Sequence, residues 1–364
     1  MKTAIILGTR PEMIKMEPVV RACRRRKMEF FILHTGQHFS PDMDTVFFET
    51  LGLPQPAYNL AVGSQPHRKQ VGLMTKRIRE VLEQERPDLV LLQGDTISVL
   101  AGALAAKWLG IKIAHHEAGL RSHDPMMLEE TNRITTDHLS DFLFAPTEKA
   151  VSNLTEEGCN PENIFLTGNT VVDALLSLCK TAEQQSSILK KLKLAPRSYF
   201  LLTAHRPETV DRKDPFTQLI AALTLLKKEF PDYAIVWPIH PRTRKMQEHF
   251  DLEWNNSLIT TNPLPYLDFI KLQSNARLIL TDSGGVQEEA CILKVPCVTL
   301  RNSTERPETV TNGMNVLTGT DPKNIVSAVR TMLDRNAIRW INPFGDGRAG
   351  EHIAEILADR ISKP

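Results

Sequence analysis

Three arginines of this 364-residue chain stand in the same tripeptide, Arg-Pro-Glu: Arg10, Arg206 and Arg306. Each copy closely follows a short apolar run: AIIL (4–7), FLL (200–202) and CVTL (297–300). A proline just past a strand suits the first position of a helix, where its missing N–H is no loss. The arginine beside it then stands at the carboxyl edge of the sheet, where open α/β sheets take their ligands. The chemistry this predicts is binding of an anion between two similar halves. The plain alternative is chance recurrence of a turn tripeptide.

A further segment points the same way. In LTDSGGVQEEA (280–290) a buried strand ends, Ser283-Gly284-Gly285 turn the chain, and a helix begins. Free amides at a helix start, with no side chains in the way, make a phosphate seat. Glu289 lies just over a turn further on, where a carboxylate can accept two hydroxyls of a ribose. An ordinary strand-to-helix turn reads the same way, and the chain has neither GxGxxG nor a Walker loop. In the first half, Arg10 and Lys15 can face one anion. Asp95 follows the apolar run 88–93, Glu117 follows the run 111–116, and Glu129-Glu130 open a later helix. His205 and Arg206 follow the first strand of the second half. Each has a plainer role available, as a helix cap or a dipole partner. As a set, they bring carboxylates and cations to the carboxyl ends of strands from both halves. His115-His116 does not read as a metal site: neighbours in a strand point to opposite faces, and no third ligand has the expected spacing.

The elements that must position these residues alternate. Strands are expected at 4–7, 30–35, 88–93, 111–116 and 142–145, with helices at 12–26, 42–52, 70–86, 98–109 and around 129–140. A second series starts near residue 199. Its strands are 200–202, 234–239, 257–260, 276–281 and 297–300; its helices are 214–229, 242–250, 265–273, one from Gly284, and 322–334. Alternation of this kind means parallel sheets with helices on both faces. The stretch around 170–197, helical, then polar, then proline-bearing, separates the halves, and 364 residues suit two domains. The last helix, 350–361, could pack on either.

Composition narrows the partners. Formal net charge is +1, from 44 basic and 43 acidic residues, which argues against nucleic acid or a membrane surface. The basic run Arg24-Arg25-Arg26-Lys27 reads as a solvated helix terminus. Five scattered cysteines fit reduced thiols and a cytoplasmic protein, and no apolar run reaches the length of a membrane span.

Taken in order, GTRPEMIK (8–15), TGQH (35–38), QGDT (93–96), HEAGLRS (116–122), EETNR (129–133), APTE (145–148), TGNTVVDA (167–174), HRPE (205–208), LTDSGGVQEEA (280–290) and TERPETV (304–310) resemble the non-hydrolysing UDP-N-acetylglucosamine 2-epimerases. The resemblance covers essentially the whole chain. It implies an α/β fold of two Rossmann-like domains facing across a cleft, the glycosyltransferase-B architecture. The first domain would be 1–170, joined by the C-terminal helix 350–364, and the UDP-binding domain 171–349. It implies a UDP-sugar substrate, a cytoplasmic homodimer, and neither cofactor nor metal. Ser283, Gly284 and Gly285 would hold the diphosphate, Glu289 the ribose, and Phe269 would lie near the uracil. Arg10, Lys15, His205, Arg206, His240 and Arg306 would contact the substrate as cations or donors. Asp95, Glu117 and Glu129, with His205, would carry the chemistry: elimination of UDP to a 2-acetamidoglucal and re-addition after protonation of C2 from the other face. Gln37, Gln70 and Arg206 are candidates for a regulatory UDP-sugar site. The chain departs from the family at His116, at Leu128, and across Arg121–Met127. Imidazole and basic groups there could suit a substrate carboxylate, so a UDP-2,3-diacetamido-hexuronate epimerase is an alternative, as is a hydrolysing epimerase.

Overall fold

The computed structural model describes residues 2–37, 48–49, 51–63, 67–124, 126–254, 258–335 and 342–361. Most of the helix expected at 42–52 lies outside them. The chain divides into two compact units, Met1–Ala174 with Phe344–Pro364, and Leu175–Pro343.

Among the described residues, the first unit has a seven-stranded parallel sheet. Its strands are β1 (Lys2–Leu7), β2 (Glu29–His34), β3 (Tyr58–Asn59), β4 (Leu89–Gln93), β5 (Lys112–His116), β6 (Phe142–Ala145) and β7 (Ile164–Leu166), in the order β3-β2-β1-β4-β5-β6-β7. The central strands are buried on both faces, as an α/β sheet covered by helices requires: every residue of β4 is buried. The second unit has a six-stranded parallel sheet of β8 (Tyr199–Thr203), β9 (Ala234–Pro238), β10 (Leu258–Thr261), β11 (Leu278–Thr281), β12 (Cys297–Thr299) and β13 (Asn315–Leu317), in the order β10-β9-β8-β11-β12-β13. The expected α/β class, with two Rossmann-like sheets, holds.

The strand orders carry functional information. In each sheet the order reverses once, between β1 and β4 and between β8 and β11. Chains leaving the two strands at a reversal turn to opposite faces and open a crevice between them, where such folds bind ligands. The segments entering these two crevices are Gly8–Arg10 and Gly94–Thr96 in the first unit, and Ala204–Arg206 and Asp282–Gly285 in the second.

The three Arg-Pro-Glu segments start helices, though not in one register. Arg206 and Arg306 are N-caps with proline following at the first position. In the first copy Thr9 is the cap and Arg10 is already helical. The last helix, Ala349–Ile361, packs on the helix Arg10–Arg25. Asp173 accepts the backbone N–H groups of Ala349 and Gly350 at 3.2 and 3.0 Å. A Cβ at Gly350 would lie 2.6 Å from the backbone carbon of Pro18, so only glycine allows this approach. The basic run is not merely solvated: Arg25 and Arg26 reach Glu351 at 3.0 and 3.7 Å, and Arg26 reaches Glu355 at 3.8 Å. These exposed pairs orient the last helix more than they stabilise it.

Candidate active site

In the first unit the crevice is built around Glu117. It directly follows β5 and has φ +66°, a left-handed conformation that costs a side-chain-bearing residue roughly 1–2 kcal/mol. That turn directs a carboxylate that is only 5% exposed onto three donors from three elements. Oε1 accepts from Lys15 Nζ at 2.5 Å and from Asn169 Nδ2 at 2.8 Å, and Oε2 accepts from Gln93 Nε2 at the end of β4. Lys15, expected to share an anion with Arg10, therefore meets Glu117. Gly94 adjoins this group with φ +83°, a conformation that favours glycine.

Asp95 sits one residue further on, its side chain about one-third exposed, with its carboxylate on Arg133. Asn132 Nδ2 donates to its carbonyl at 2.9 Å. Of the pair opening the helix Leu128–Leu139, Glu129 is exposed and Glu130 is buried. Glu130 accepts from Arg133 at 2.6 Å, from the Ser122 hydroxyl, and from the N–H groups of Ser122 and His123. Burial pushes its carboxyl up, but these amides and Arg133 outweigh it and hold the group below the usual range.

His115 and His116 do point to opposite faces. His115 faces Asp137 through Nδ1 at 2.6 Å and the Gly94 carbonyl through Nε2 at 2.8 Å. Asp137 also takes Arg121 at 2.7 Å and the Gly119 N–H at 3.1 Å. Burial raises the Asp137 carboxyl, but His115 and Arg121 outweigh it and keep it below its ordinary value. His116 is wholly buried against Thr170 Oγ1 at 2.8 Å, and burial pushes its imidazole down to about 4. Arg121 spends its guanidinium on Asp137 and on both oxygens of Glu157, at 2.7 and 2.6 Å. His116 is thus inside with its imidazole pushed toward the neutral form, and Arg121 is already held by two carboxylates, so neither is placed to offer positive charge to a substrate.

In the second unit the crevice is mostly backbone. Asp282, fully buried, accepts the N–H groups of His205 and Arg206, both at 2.8 Å. It thus ties the turn after β8 to the turn after β11. Ser283 caps the helix Gly284–Ile292, with its own N–H on Thr281 Oγ1 at 3.0 Å. Gly285 is exposed, a Cβ there would meet nothing within 4 Å, and its φ is ordinary. Neither backbone nor packing demands glycine at that position, and its bareness leaves the helix start open to an approaching group. Glu289, one turn on, is 9% exposed and is aimed by Tyr266 OH at 2.9 Å and Gln273 Nε2 at 2.7 Å. Phe269 is half-buried on the neighbouring helix Tyr266–Asn275.

His205 and His240 lie with ring centroids 5.1 Å apart. His240 Nδ1 accepts the Arg242 N–H at 3.1 Å, so its neutral ring carries the proton on Nε2. Burial, with nearby Arg206 and Arg242 for His205 and with His205 and Arg242 for His240, lowers both imidazoles. Arg306 Nε is on Glu288, and its NH1 donates to the Glu305 carbonyl at 3.1 Å. Arg301 forms a fork with Glu305 at 3.0 and 3.1 Å, and that pairing, against burial, holds Glu305 at about 2. Of the residues considered for regulation, Gln37 Oε1 is spent on Ser98 and Gln70 Nε2 on the Gly63 carbonyl.

Sequence reasoning missed the residues that aim the carboxylates, Gln93, Asn169 and Arg133 in the first unit and Tyr266 and Gln273 in the second, and it missed Asp137, which holds His115 and Arg121. Gln93, Asn169 and Arg133 stood inside the motifs that carry the resemblance, and for Gln93 a polar residue ending an otherwise apolar strand was the available signal. Among the described residues no group of three or more His, Cys, Asp and Glu could hold a metal ion. No helix of the described residues is long and apolar enough to cross a membrane. The first unit thus offers carboxylates set against cations, suited to moving protons. The second offers a bare helix start with a buried carboxylate one turn on, an arrangement that can take a nucleotide.

Comparison with known proteins gives the family of the chain. The UDP-N-acetylglucosamine 2-epimerase family matches residues 21–358. The UDP-N-acetylglucosamine 2-epimerase of Methanococcus maripaludis is 51% identical over 362 residues, 98% of each chain. The UDP-2,3-diacetamido-2,3-dideoxy-D-glucuronate 2-epimerase of Pseudomonas aeruginosa is 41% identical, over 98% of this chain and 99% of that one. The crystal structure of the Methanocaldococcus jannaschii UDP-GlcNAc 2-epimerase with UDP-GlcNAc and UDP superposes with a TM-score of 0.91 at 50% identity, covering 99% of this chain and all of the other.

Proposed function

The chain belongs to the UDP-N-acetylglucosamine 2-epimerase family, and from that premise we propose that it interconverts UDP-N-acetylglucosamine and UDP-N-acetylmannosamine without releasing free sugar. The diphosphate takes the amides at Ser283, Gly284 and Gly285, with His205, Arg206, His240 and Arg306 of the same unit as further donors. The ribose hydroxyls take Glu289, and the uracil lies by Phe269.

The C2 hydrogen of a hexosamine is not α to a carbonyl, so direct removal is difficult. As the C1–O bond to UDP stretches, C1 becomes oxocarbenium-like and C2–H acidifies. A carboxylate takes that proton, the C2–H pair becomes the C1–C2 double bond, and the C1–O pair leaves with UDP. Return of the UDP oxygen to C1, with a proton delivered to the other face of C2, gives the epimer. Two faces require two proton-transfer groups. Asp95 and Glu117 fill that role, with Glu129 as a third carboxylate. Lys15 beside Glu117 and Arg133 beside Asp95 balance charge as the proton comes and goes. Donors at the diphosphate take up the charge of the departing UDP. The proposal includes a cytoplasmic homodimer.

The observation that carries the reading is Glu289, held by Tyr266 and Gln273 one turn beyond a bare helix start: a ribose seat and a phosphate seat on one helix. A uronate would require a cation for its carboxylate, and neither His116 nor Arg121 is placed to supply it. That favours N-acetylhexosamine over the substrate named for the Pseudomonas relative. Incubation of UDP-N-acetylglucosamine in deuterated water, followed by NMR, tests the reading. Deuterium at C2 in both epimers is expected. Free N-acetylmannosamine would make the enzyme hydrolysing, and unlabelled, unchanged substrate would refute the proposal.

A further inference from the structure

The glutamate of the first Arg-Pro-Glu has no part in the chemistry above, yet it is 2% exposed. Glu12 Oε2 accepts the backbone N–H groups of Gly8 at 2.5 Å and Thr9 at 2.8 Å. Those two bonds cap its own helix. Its Oε1 does something else: it accepts the Thr96 hydroxyl at 2.5 Å. This third bond leaves the helix and crosses the strand-order reversal, from the loop after β1 to the loop after β4. In the second copy of the tripeptide, Glu208 has a half-exposed side chain and reaches Arg301 at 3.4 Å instead.

Thr96 directly follows Asp95 and caps the helix Ile97–Trp108, accepting the Val99 N–H at 3.4 Å. The same turn is held at two other points, the Gly94 carbonyl by His115 and the Asp95 carbonyl by Asn132. Its partner loop has no slack: a Cβ at Gly8 would lie 2.0 Å from Ser98 Oγ and 2.5 Å from Thr35 Oγ1. A bond from Glu12 to Thr96 therefore anchors the Asp95 turn to a rigid seat.

We propose that Glu12 is a positioning residue for Asp95, tying the turn that carries it to the Gly8–Thr9 amides across the crevice. This rests on the reading of Asp95 as a proton-transfer group. The bridge survives a change of charge. Burial and the nearby Asp95 charge, against the bonds from Thr96, Gly8 and Thr9, push the Glu12 carboxyl up to about 7. Protonated on Oε1, it donates to Thr96 Oγ1 while Oε2 keeps both amides. A glutamine does the same, with its carbonyl on the amides and its NH₂ on Thr96. Geometry rather than charge is thus what the residue contributes.

The test is C2 deuterium exchange and UDP affinity in wild type, Glu12→Ala, Glu12→Gln, Thr96→Val, Thr96→Ser and the double variant Glu12→Ala/Thr96→Val. Misplacing a reacting group by about 1 Å costs about a hundredfold in rate, so Glu12→Ala and Thr96→Val should each lose kcat on that scale, with UDP affinity within about twofold. Glu12→Gln and Thr96→Ser should stay within about threefold of wild type, and the double variant should be no slower than either single one, as expected of two ends of one bond. Wild-type kcat in folded Glu12→Ala, a Glu12→Gln as slow as the alanine variant, or additive losses in the double variant would each overturn the proposal. If Glu12→Ala does not fold, Thr96→Val against Thr96→Ser decides the matter. Absence of exchange in the wild type would instead defeat the assignment of the reaction.

Discussion

Replacing Asp137 with asparagine should damage the first unit's stability and its activity together. The side chains of Asp137 and His115 are 0% exposed and that of Arg121 is 1% exposed. The carboxylate presents two acceptors to three donors: His115, Arg121 and the Gly119 N–H. Asparagine presents one acceptor and one NH₂, so one oxygen's donors would meet another donor. Removing one side of a buried ion pair costs about 3–5 kcal/mol. Glu157 remains on Arg121, which places the cost toward the lower figure. For a unit of this size the melting transition should fall by about 6–20 °C. His115 would lose its anchor and with it the grip on the Gly94 carbonyl, so C2 exchange should fall while UDP affinity holds. The pH dependence has a definite sign. Asp137 is held below its ordinary value, so its contribution is complete above that value and is lost as pH falls through the folded one. The gap between wild type and Asp137→Asn should therefore close as pH falls from about 5 through the folded value of Asp137. Urea unfolding across that range measures it. A loss under about 1 kcal/mol, or a gap that widens in acid, would refute the reasoning.

Glu289→Ala should weaken UDP binding by about 1.5–3 kcal/mol for each ribose hydroxyl bond lost; unchanged affinity by calorimetry would remove the ribose role. Asp95→Asn and Glu117→Gln should each abolish C2 exchange while keeping UDP affinity, and near-normal exchange in either would clear that residue of acid–base work. Gly350→Ala sets a Cβ 2.6 Å from the Pro18 backbone and should cost about 1–3 kcal/mol in thermal melts, with no direct effect on the chemistry. Activity should survive exhaustive dialysis against a chelator; loss restored by one divalent ion would count against the metal-free mechanism.

The central strands were legible because burial on both faces writes them as continuous apolar runs; β4 and β6 differ from expectation by at most one residue at an end. The edge strands β3, β7 and β13 were missed. They have two or three residues each, and even the wholly apolar β7 (IFL) is too short a run to mark a strand. The short helices Pro207–Val210 and Pro307–Thr311 are single turns, below the length at which periodicity exists. Glu117 and Asp95 could be placed at a sheet edge because they follow such runs. Their partners could not be: Lys15, Gln93 and Asn169 converge on Glu117 from three separate stretches, and only the strand order brings those stretches together. His116 and Arg121 show the opposite failure. Their types suggested positive charge for a ligand, but sequence does not say which way a side chain faces at the end of a strand.

The two crevices share a topology and differ in what fills them, and the difference follows from the work proposed for each. A diphosphate bears fixed charge and changes little in position. It is best met by backbone dipoles that need no reorganisation, and so the second unit exposes a glycine-lined helix start and keeps its buried aspartate, Asp282, for holding backbone turns. Proton transfer requires groups whose charge changes during the reaction. A carboxylate that alternates between charged and neutral in a buried place must have a counter-charge near enough to support one state and donors fixed enough to keep its aim in both. Glu117 has Lys15 for the first and Gln93 and Asn169 for the second. Asp95 has Arg133 on its carboxylate, and its turn is fixed by Asn132, His115 and Glu12 acting through Thr96. In the proposed mechanism the polar contacts around Glu117 and Asp95 keep those carboxylates in position while their charge changes.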